Sequence, residues 1–359
     1  MSPKIRRRFF KLLPKIRLFL VGVLIGLFII GLFKIVPLTV QFLREFSSIP
    51  SILWSVATDR SLSLKSNSGR TNILLLGKAG GNHEGKDLTD TMIFVSINLK
   101  EDEVTLLSIP RDIWIDDLKG KINTAYASAE EKRPGGGLVL AKAVVADILD
   151  QPVHYAVVMD FDGFKKTIDL LGGVDIDIAQ TFDDYKYPIE GKEEDLCGGD
   201  PEYQCRFEHL HFEKGQQHMN GEVALKYARS RHAEDDEGTD FARSTRQQNL
   251  LLALKNKTFS YEILLNPEKI VNLKKSLGES IETDIPVSDF DDFVKIFPKI
   301  SATKTKNLVL DWGDPKNGRQ GLLINPPVWE HNGAWVLIPR VGNWDEIRSF
   351  LKNELASSP

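Results

Sequence analysis

Four arginines lie close together in a chain that is acidic overall, with a formal net charge of −4. They fall within eighteen residues and are Arg229, Arg231, Arg243 and Arg246. Guanidinium is permanently charged, and its planar fork matches the oxygens of a phosphate. Asp240 and the amide of Gln247 lie among them. This set favours a site for a polyanion, above all a phosphate ester, and the alternative is a solvated basic helix face.

Other charged residues stand where predicted strands begin or end. Asp90 enters one strand, Arg111 and Asp112 leave another, and Lys121 follows in a short segment. Groups at strand ends and in the adjoining loops of α/β sheets commonly converge on a ligand crevice. A carboxylate can hold Mg²⁺ there while arginine and lysine neutralise the remaining phosphate oxygens. We therefore expect a phosphate ligand carrying Mg²⁺.

Short apolar runs alternate with amphipathic segments and predict an α/β or α/β/α layered domain over 71–260. The predicted strands are 73–77, 91–97, 104–109, 153–159 and 174–178, and the predicted helices are 138–149, 161–171, 220–227 and 241–254. Residues 179–215 are rich in loop-forming types. After residue 260 the pattern changes, and 261–359 is predicted to be a small α/β accessory lobe. Its tryptophans, at 312, 329, 335 and 344, are expected in the core of that lobe, with glycan stacking as the alternative.

The N-terminus predicts a membrane anchor. Residues 1–17 contain seven basic residues and no acid, and an apolar stretch over 18–40 is interrupted by Lys34. About 20 apolar residues cross a bilayer, and the positive-inside rule places the basic tail in the cytoplasm. We expect a cytoplasmic tail over 1–17, a single transmembrane helix over 18–40, a juxtamembrane linker over 41–70 and an extracytoplasmic body. A cleaved signal peptide is the alternative, and it also exports the body.

Two further observations limit the class of protein. Without the seven basic residues of the tail, the net charge falls from −4 to −11, which argues against nucleic-acid binding. Cys197 and Cys205 are the two cysteines of the chain. Outside the cytoplasm such a pair is expected to form a disulfide. A zinc site that includes His209 or His211 is the weaker alternative.

Eight short motifs, in this order, resemble the LytR-CpsA-Psr family of cell-envelope proteins over about residues 70–255. They are Asn72-Ile-Leu-Leu-Leu-Gly, Leu88-Thr-Asp-Thr-Met-Ile, Leu107-Ser-Ile-Pro-Arg-Asp, Lys121-Ile-Asn-Thr-Ala-Tyr, Asp160-Phe-Asp-Gly-Phe, Leu170-Leu-Gly-Gly-Val-Asp-Ile-Asp-Ile, Asn220-Gly-Glu-Val-Ala-Leu-Lys-Tyr-Ala-Arg and Asp240-Phe-Ala-Arg-Ser-Thr-Arg-Gln-Gln. Each motif alone is weak, and the ordered set behind one N-terminal anchor is specific.

The resemblance implies an α/β/α layered domain with a mixed central sheet and an apolar groove for a polyprenyl chain. It also implies a membrane-anchored, Mg²⁺-dependent phosphotransferase that moves a glycopolymer from a polyprenyl-pyrophosphate carrier to peptidoglycan. A sugar hydroxyl would attack the phosphorus next to the glycopolymer, and polyprenyl phosphate would leave. Two alternatives remain open: a pyrophosphatase of polyprenyl carriers, in which water attacks, and a non-catalytic protein that binds the lipid carrier.

The resemblance also implies roles for individual residues. Asp90 matches an acid that helps to bind Mg²⁺, and Asp240 matches an acid that could act as general base. Arg111, Arg229 and Arg243 match arginines that bind pyrophosphate, Lys121 matches a basic residue near the phosphates, and Gln247 matches a polar ligand contact. The arginine cluster itself adds Arg231 and Arg246 to the residues expected to contact the pyrophosphate. Arg111 and Arg243 are, with Asp240, the residues expected to be catalytic.

One departure from the family pattern follows the first strand. The family commonly has an acid and an arginine there, whereas this chain has Gly77-Lys-Ala-Gly-Gly-Asn. Lys78 could take over part of the charge neutralisation, and the N–H groups of Gly80 and Gly81 could form an anion-binding nest. Asp87, three residues before Asp90, is a weak candidate for the replacement metal ligand.

Overall fold

The computed structural model describes residues 62–81, 85–233, 235–264, 266–314 and 318–357. Within that part of the chain, no helix combines the length and the apolar character that crossing a bilayer requires. The predicted tail over 1–17, the anchor over 18–40 and most of the linker over 41–70 lie outside the described residues.

The described residues form strands that are mostly short. They are β1 Arg70–Lys78, β2 Thr89–Asn98, β3 Glu103–Ser108, β4 Trp114–Ile115, β5 Gly120–Lys121, β6 Tyr155–Asp160, β7 Val174–Ile178, β8 Phe182–Pro188, β9 Phe207–Phe212, β10 Gly215–Met219, β11 Ile281–Thr283, β12 Thr305–Val309, β13 Gly313–Asp314, β14 Arg319–Gln320, β15 Leu323–Ile324 and β16 Ile338–Pro339.

The helices lie between these strands and after them. They are α1 Thr124–Glu130, α2 Gly136–Leu149, α3 Phe161–Leu170, α4 Gly221–Arg229, α5 Asp240–Thr258, α6 Tyr261–Leu264, α7 Pro267–Ser280, α8 Val287–Ile296 and α9 Asp345–Ala356. The strands and helices predicted between residues 73 and 178 are confirmed, as is the long helix predicted over 241–254.

The central sheet has the strand order β11-β6-β1-β2-β3-β12. β1 pairs parallel with β6 and antiparallel with β2, while β3 pairs antiparallel with β2 and parallel with β12. The sheet is therefore mixed, as predicted. Side chains of β1 and β2 alternate between two faces, so that Leu74 and Phe94 belong to one buried cluster and Ile73 and Ile93 to another.

Helices cover both faces of this sheet. Side chains of α2 and α9 pack in the first cluster, and α8 supplies Phe293 and Ile296 to the second. A third cluster joins the antiparallel strand pairs β7–β10 and β8–β9 to α3, α4 and α5. The region predicted to be loop-rich, 179–215, thus contains two strands whose inward side chains, such as Phe182 and Phe212, are buried.

The chain after residue 260 is not a separate accessory lobe, which corrects the predicted domain boundary. Two of its strands, β11 and β12, form the two edges of the central sheet. Ile347 and Leu351 of α9 are fully buried in the same cluster as β1 and β2. Both edges of the sheet would otherwise expose unpaired backbone groups, so these late strands complete the domain.

Candidate functional site

The predicted site residues meet at one end of the central sheet. Asp90 is the second residue of β2, and its neighbour Thr91 pairs with Gly77 near the end of β1. Arg111 follows the end of β3, and Phe161 follows the end of β6. The convergence of strand ends that the sequence predicts is therefore present, and α5 packs across it.

A cavity of about 190 Å³ lies at this end of the sheet, and several arginine side chains line it. Its charged and polar lining consists of Asp90, Thr91, Arg111, Asp184, Tyr187, Arg229, Arg231, His232, Arg243 and Gln247. Four guanidinium groups against two carboxylates leave an excess of positive charge in a chain that is negative overall. Three of the four arginines from the original cluster thus line one cavity, together with Arg111 from a distant segment.

The arginines after α4 are positioned by a buried carboxylate that sequence reasoning missed. Asp184 of β8 is fully buried and accepts hydrogen bonds from the Ser230 hydroxyl, at 2.7 Å, and from the backbone N–H groups of Arg231 and His232. Burial by itself would raise the Asp184 pKa, but these hydrogen bonds, with one from the Lys186 backbone, outweigh it and lower the pKa. The bend after α4 is thereby fixed.

Arg229, the last residue of α4, is held by aromatic rings. Its guanidinium lies 4.5 Å from the centre of the Phe161 ring and donates a long hydrogen bond, 3.4 Å, to the Tyr187 hydroxyl. The α4 helix itself begins at Asn220, whose side chain accepts from the N–H of Val223. Cation–π contacts of this kind orient an arginine without neutralising it, so Arg229 keeps its charge for a ligand.

The first turns of α5 supply the other wall of the cavity. Thr239 caps the helix by accepting from the N–H of Ala242. Arg243 and Gln247, four residues apart, share a face and line the cavity. Burial, followed by the proximity of Arg231 and Arg111, lowers the pKa of Arg243 to about 10, although Asp240 opposes this shift. Such a site favours an anion because the cations that line it repel one another.

A buried side chain fastens α5 to the sheet. Gln248 is fully buried and donates hydrogen bonds to the Ser108 hydroxyl, at 3.0 Å, and to the Leu308 carbonyl, at 2.9 Å. These two acceptors belong to the adjacent strands β3 and β12. The contact places the N-terminal half of α5 over the sheet end, where its unpaired N–H groups add positive potential.

On the sheet side, Arg111 pairs with two acids. Its Nη1 donates to Asp90 Oδ1 at 2.6 Å, and its Nε lies 3.5 Å from Asp112 Oδ2. Burial by itself would lower the Arg111 pKa, but the two carboxylates outweigh it and raise the pKa. Lys121 does not line the cavity, because its ammonium group donates to Asp112 at 2.6 Å. Lys121 therefore pairs with Asp112, which in turn lies beside Arg111. The prediction that Lys121 contacts the pyrophosphate is not supported, because Lys121 lines neither cavity.

Arg246 is also not a ligand contact, which corrects another prediction. Its side chain is 3% exposed and binds Glu237 Oε2 at 2.7 Å. Its remaining nitrogens donate to the carbonyls of Tyr227 and Ser230. The guanidinium also stacks 4.8 Å from the Phe182 ring centre. Each guanidinium nitrogen of Arg246 donates to a group inside the protein. Arg246 therefore joins α5 to the segment that carries Arg229 and Arg231.

A second, smaller cavity of about 20 Å³ adjoins the first. The two share Asp90, Thr91, Arg111, Arg243 and Gln247 as lining residues. The smaller one is also lined by Asp240, Asp311 and Trp312. Roughly 10–15 Å³ is needed for one water molecule, so it has room for a single water or hydroxyl group. Asp240 stands there with Oδ1 only 3.0 Å from Arg243 Nη2.

The segment after β1, where this chain lacks the acid and arginine of the family pattern, does not supply a substitute phosphate or metal site. Lys78 points away from both cavities and pairs with Asp87 at 3.0 Å and with Glu282 at 3.1 Å. Asp87, the weak candidate for metal binding, is thus occupied by an internal cation. The N–H of Gly80 donates to the Lys86 carbonyl, so the nest predicted at Gly80 and Gly81 lacks one of its donors.

Asp90 is the carboxylate best placed to hold a cation beside a bound phosphate, since it lines both cavities. Mg²⁺ is commonly held by one or two carboxylates together with substrate phosphates and waters. In the described part of the chain, the one close group of three His, Cys, Asp or Glu side chains is Asp195, Cys197 and Cys205, where the cysteines are bonded to each other. The donor set at Asp90 therefore fits Mg²⁺ together with a phosphate ligand and does not form an all-protein site.

The predicted disulfide is confirmed, and it excludes the zinc alternative. Cys197 and Cys205 are bonded, with 5.5 Å between their Cα atoms. His209 and His211 instead share Asp183 Oδ1, at 2.6 and 2.8 Å. The disulfide loop lies outside the lining of both cavities.

Comparison with known proteins gives a consistent result. The model of the LytR_cpsA_psr family matches residues 50–320. The polyisoprenyl-teichoic acid–peptidoglycan teichoic acid transferase TagV of Bacillus subtilis is 29% identical over 280 residues, which are 76% of this chain and 61% of TagV. A TagU transferase of Bacillus cereus is 33% identical over 235 residues, 64% of this chain and 65% of TagU. The chain therefore spans less than two thirds of the length of these relatives.

The fold agrees with a solved structure. The crystal structure of B. subtilis TagV superposes with a TM-score of 0.55 and 27% identity, covering 82% of this chain and all of that one. The mixed central sheet is thus shared with a protein of known architecture.

Proposed function

Because the chain belongs to the LytR_cpsA_psr family, we propose that it is a membrane-anchored phosphotransferase that moves a glycopolymer from a polyprenyl-pyrophosphate carrier to peptidoglycan. The observation that carries the proposal is the cavity lined by Arg111, Arg229, Arg231 and Arg243. Four guanidinium groups around about 190 Å³ match a pyrophosphate in charge and in hydrogen-bonding geometry. The names of the relatives TagV and TagU, as teichoic acid transferases, support the classes of donor and acceptor.

In the proposed reaction the arginines hold the pyrophosphate and stabilise the charge that grows on the leaving polyprenyl phosphate. Asp240, oriented by Arg243, takes the proton of the attacking sugar hydroxyl. Gln247 is fixed by hydrogen bonds from its amide nitrogen to Thr91 Oγ1, at 3.2 Å, and to the Ala228 carbonyl. It thus positions the ligand between α5 and β2.

Mg²⁺ is part of the proposal. Asp90 would hold it together with the pyrophosphate, and the ion would neutralise phosphate charge during the transfer. Since Asp90 already accepts a hydrogen bond from Arg111, we expect measurable Mg²⁺ affinity only when pyrophosphate is bound. Calorimetric titration of Mg²⁺ with and without inorganic pyrophosphate tests this expectation, and equal binding in both would contradict it.

We also propose that the body lies outside the cytoplasm, tethered by the predicted helix over 18–40. The basic residues of 1–17 and the Cys197–Cys205 disulfide both support this placement, because disulfides persist in oxidising compartments. Labelling of an introduced surface cysteine with a membrane-impermeant reagent on intact cells tests it. Labelling only after the cells are permeabilised would refute it.

The central test is Arg111→Ala in the full-length protein, assayed with a labelled polyprenyl-pyrophosphate glycan and peptidoglycan. Loss of one preorganised charged group of this kind costs roughly 10²–10³ in rate. Arg133→Ala is the matched control, because Arg133 is exposed and lies outside both cavities. Transfer by Arg111→Ala at the rate of the control would refute the site. Release of polyprenyl phosphate without any transfer would favour the pyrophosphatase alternative.

A further inference from the structure

Trp312 is an exposed aromatic residue at the edge of the smaller cavity. Its side chain is 45% exposed, so it does not belong to a core as the sequence suggested. It follows β12 by three residues, and the neighbouring Asp311 is buried. A large apolar ring at the mouth of a charged cavity is a common feature of ligand sites, because the ring supplies contact area while polar groups set orientation.

The loop that carries Trp312 is closely fitted. Gly313 and Gly321 approach so closely that a Cβ on either would lie within 2.3 Å of a backbone nitrogen of the other. Arg319, opposite Asp314 in the β13–β14 pair, donates to Asp311 Oδ1 at 3.0 Å. Trp312 therefore lies directly before the paired strands β13 and β14.

The same arginine connects this hairpin to α5. The Arg319 guanidinium lies 5.7 Å from the centre of the Phe241 ring. Phe241 is 50% exposed and directly follows Asp240. We call Trp312, Arg319 and Phe241 the aromatic rim. Within the rim, Trp312 lines the smaller cavity together with Asp240, whereas Arg229 and Arg231 line only the larger one.

The chemistry of the rim fits a sugar ring better than a polyprenyl chain. Indole presents an apolar face to the C–H groups of a sugar and an N–H donor to its hydroxyls. An isoprenoid chain would instead desolvate Asp311, Asp240 and Arg319 without offering any hydrogen bond in return, which is costly. The adjoining cavity, with room for one hydroxyl, accommodates the attacking group of a sugar that lies outside it.

We propose that Trp312 and Phe241 form a platform for a sugar ring of the acceptor glycan, with its hydroxyl directed into the smaller cavity beside Asp240. This inference rests on the proposed function and adds the place of the acceptor. The hydroxyl oxygen forms a bond to phosphorus, and the bond from phosphorus to the bridging oxygen breaks. Its electron pair leaves with polyprenyl phosphate, and the hydroxyl proton passes to the Asp240 carboxylate.

The binding test uses the full-length protein in detergent and a soluble glycan-strand fragment of peptidoglycan, titrated by calorimetry. Trp312→Ala is expected to weaken binding about tenfold, since an aromatic contact contributes about that factor. Trp312→Phe should retain most of the affinity. Trp329→Ala is the matched control, because Trp329 is 77% exposed and lines neither cavity. A change below twofold in Trp312→Ala, or an equal loss in the control, overturns the inference.

Two further titrations test whether the lipid chain or the donor sugar, instead of the acceptor sugar, occupies the aromatic rim. Polyprenyl pyrophosphate without sugar should bind Trp312→Ala and wild type equally, and weaker binding would assign the rim to the lipid chain. Glycosylated donor should also bind both equally, and a loss confined to that ligand would assign the rim to the donor sugar. Either loss overturns the inference.

Turnover distinguishes failure of this inference from failure of the proposed function. With limiting acceptor, Trp312→Ala should transfer about tenfold more slowly than wild type. If wild type binds the glycan fragment through Trp312 and never transfers, the proposed function is wrong and the glycan site stands. If wild type transfers and Trp312→Ala transfers equally well, the inference is wrong and the proposed function stands.

Discussion

Arg246 and Arg243 lie three residues apart on α5, and we predict opposite effects when each is replaced by alanine. The Arg246 guanidinium is buried, pairs with Glu237 and donates to carbonyls in the segment after α4. Arg246→Ala leaves a carboxylate and these carbonyls without partners inside the protein. Breaking one partner of a buried ion pair costs about 3–5 kcal/mol, which is a large share of a typical stability of about 5–15 kcal/mol.

Arg243→Ala should behave differently. Burial and the nearby arginines already disfavour its charged form, which is reflected in its lowered pKa. Removing the Arg243 guanidinium should leave the free energy of unfolding unchanged or raise it by about 1 kcal/mol. Such an effect is common when a functional group that destabilises the folded state is removed. Pyrophosphate binding and transfer should nevertheless be lost.

Urea denaturation of both variants and of wild type, followed by tryptophan fluorescence, measures the free energies of unfolding. Calorimetric titration with inorganic pyrophosphate, below the denaturation midpoint of the weakest variant, measures binding. The reasoning is refuted if Arg246→Ala keeps wild-type stability and loses pyrophosphate binding. In that case Arg246 contacts the ligand, as the sequence alone suggested.

Three other predictions concern the same fold. Asp240→Asn should slow transfer roughly 10²–10⁴-fold in single-turnover assays and leave donor affinity within about twofold; unchanged transfer would exclude Asp240 as the base. Asp184 has a lowered pKa in the folded state, so it stabilises the protein above its unfolded pKa and loses that contribution as pH falls through the folded value. Denaturation curves of Asp184→Asn should therefore show lower stability at pH 7 and a shallower loss of stability below about pH 4, and parallel curves would contradict this. Replacing Cys197 and Cys205 by serine should cost about 2–3 kcal/mol of stability and leave transfer unchanged, and loss of transfer in the folded variant would contradict a purely structural role.

Much of the site was predictable because its residues occupy positions that local rules describe. Asp90 lies near the start of β2 and Arg111 follows the end of β3, and these two points meet at one end of the sheet because β2 and β3 pair antiparallel. Arg243 and Gln247 share a helix face because they are four residues apart. Spacing of this kind decides which side chains lie together, and here it placed them around one cavity.

Arg246 shows where that reasoning stops. A helix with polar residues on several faces does not reveal which face packs inward, and α5 buries Ser244, Arg246 and Gln248. Their partners are backbone carbonyls and hydroxyls of other segments, which no pattern within α5 indicates. Asp184 was missed for the same reason, since its hydrogen-bond donors are the backbone N–H groups that follow α4.

The edge strands were missed because they are short and only half apolar. β11 has three residues, and β12 reads Thr-Lys-Asn-Leu-Val, with partly exposed side chains throughout. Neither has the alternation that marks a strand with one buried face. Their identity comes from the pairing partners β6 and β3, which lie far away in the chain.

The late position of β12 has a consequence for the order in which this chain folds. β3 ends at Ser108, and its outer partner β12 begins at Thr305, about 200 residues later. At a synthesis rate of about 5–20 residues per second, β3 waits roughly 10–40 s for that partner. During this time it presents an open hydrogen-bonding edge, which can pair with the same edge of another nascent chain. Chains that end before β12 should therefore aggregate, and a chaperone that covers β3 should matter most while residues 109–309 are being made.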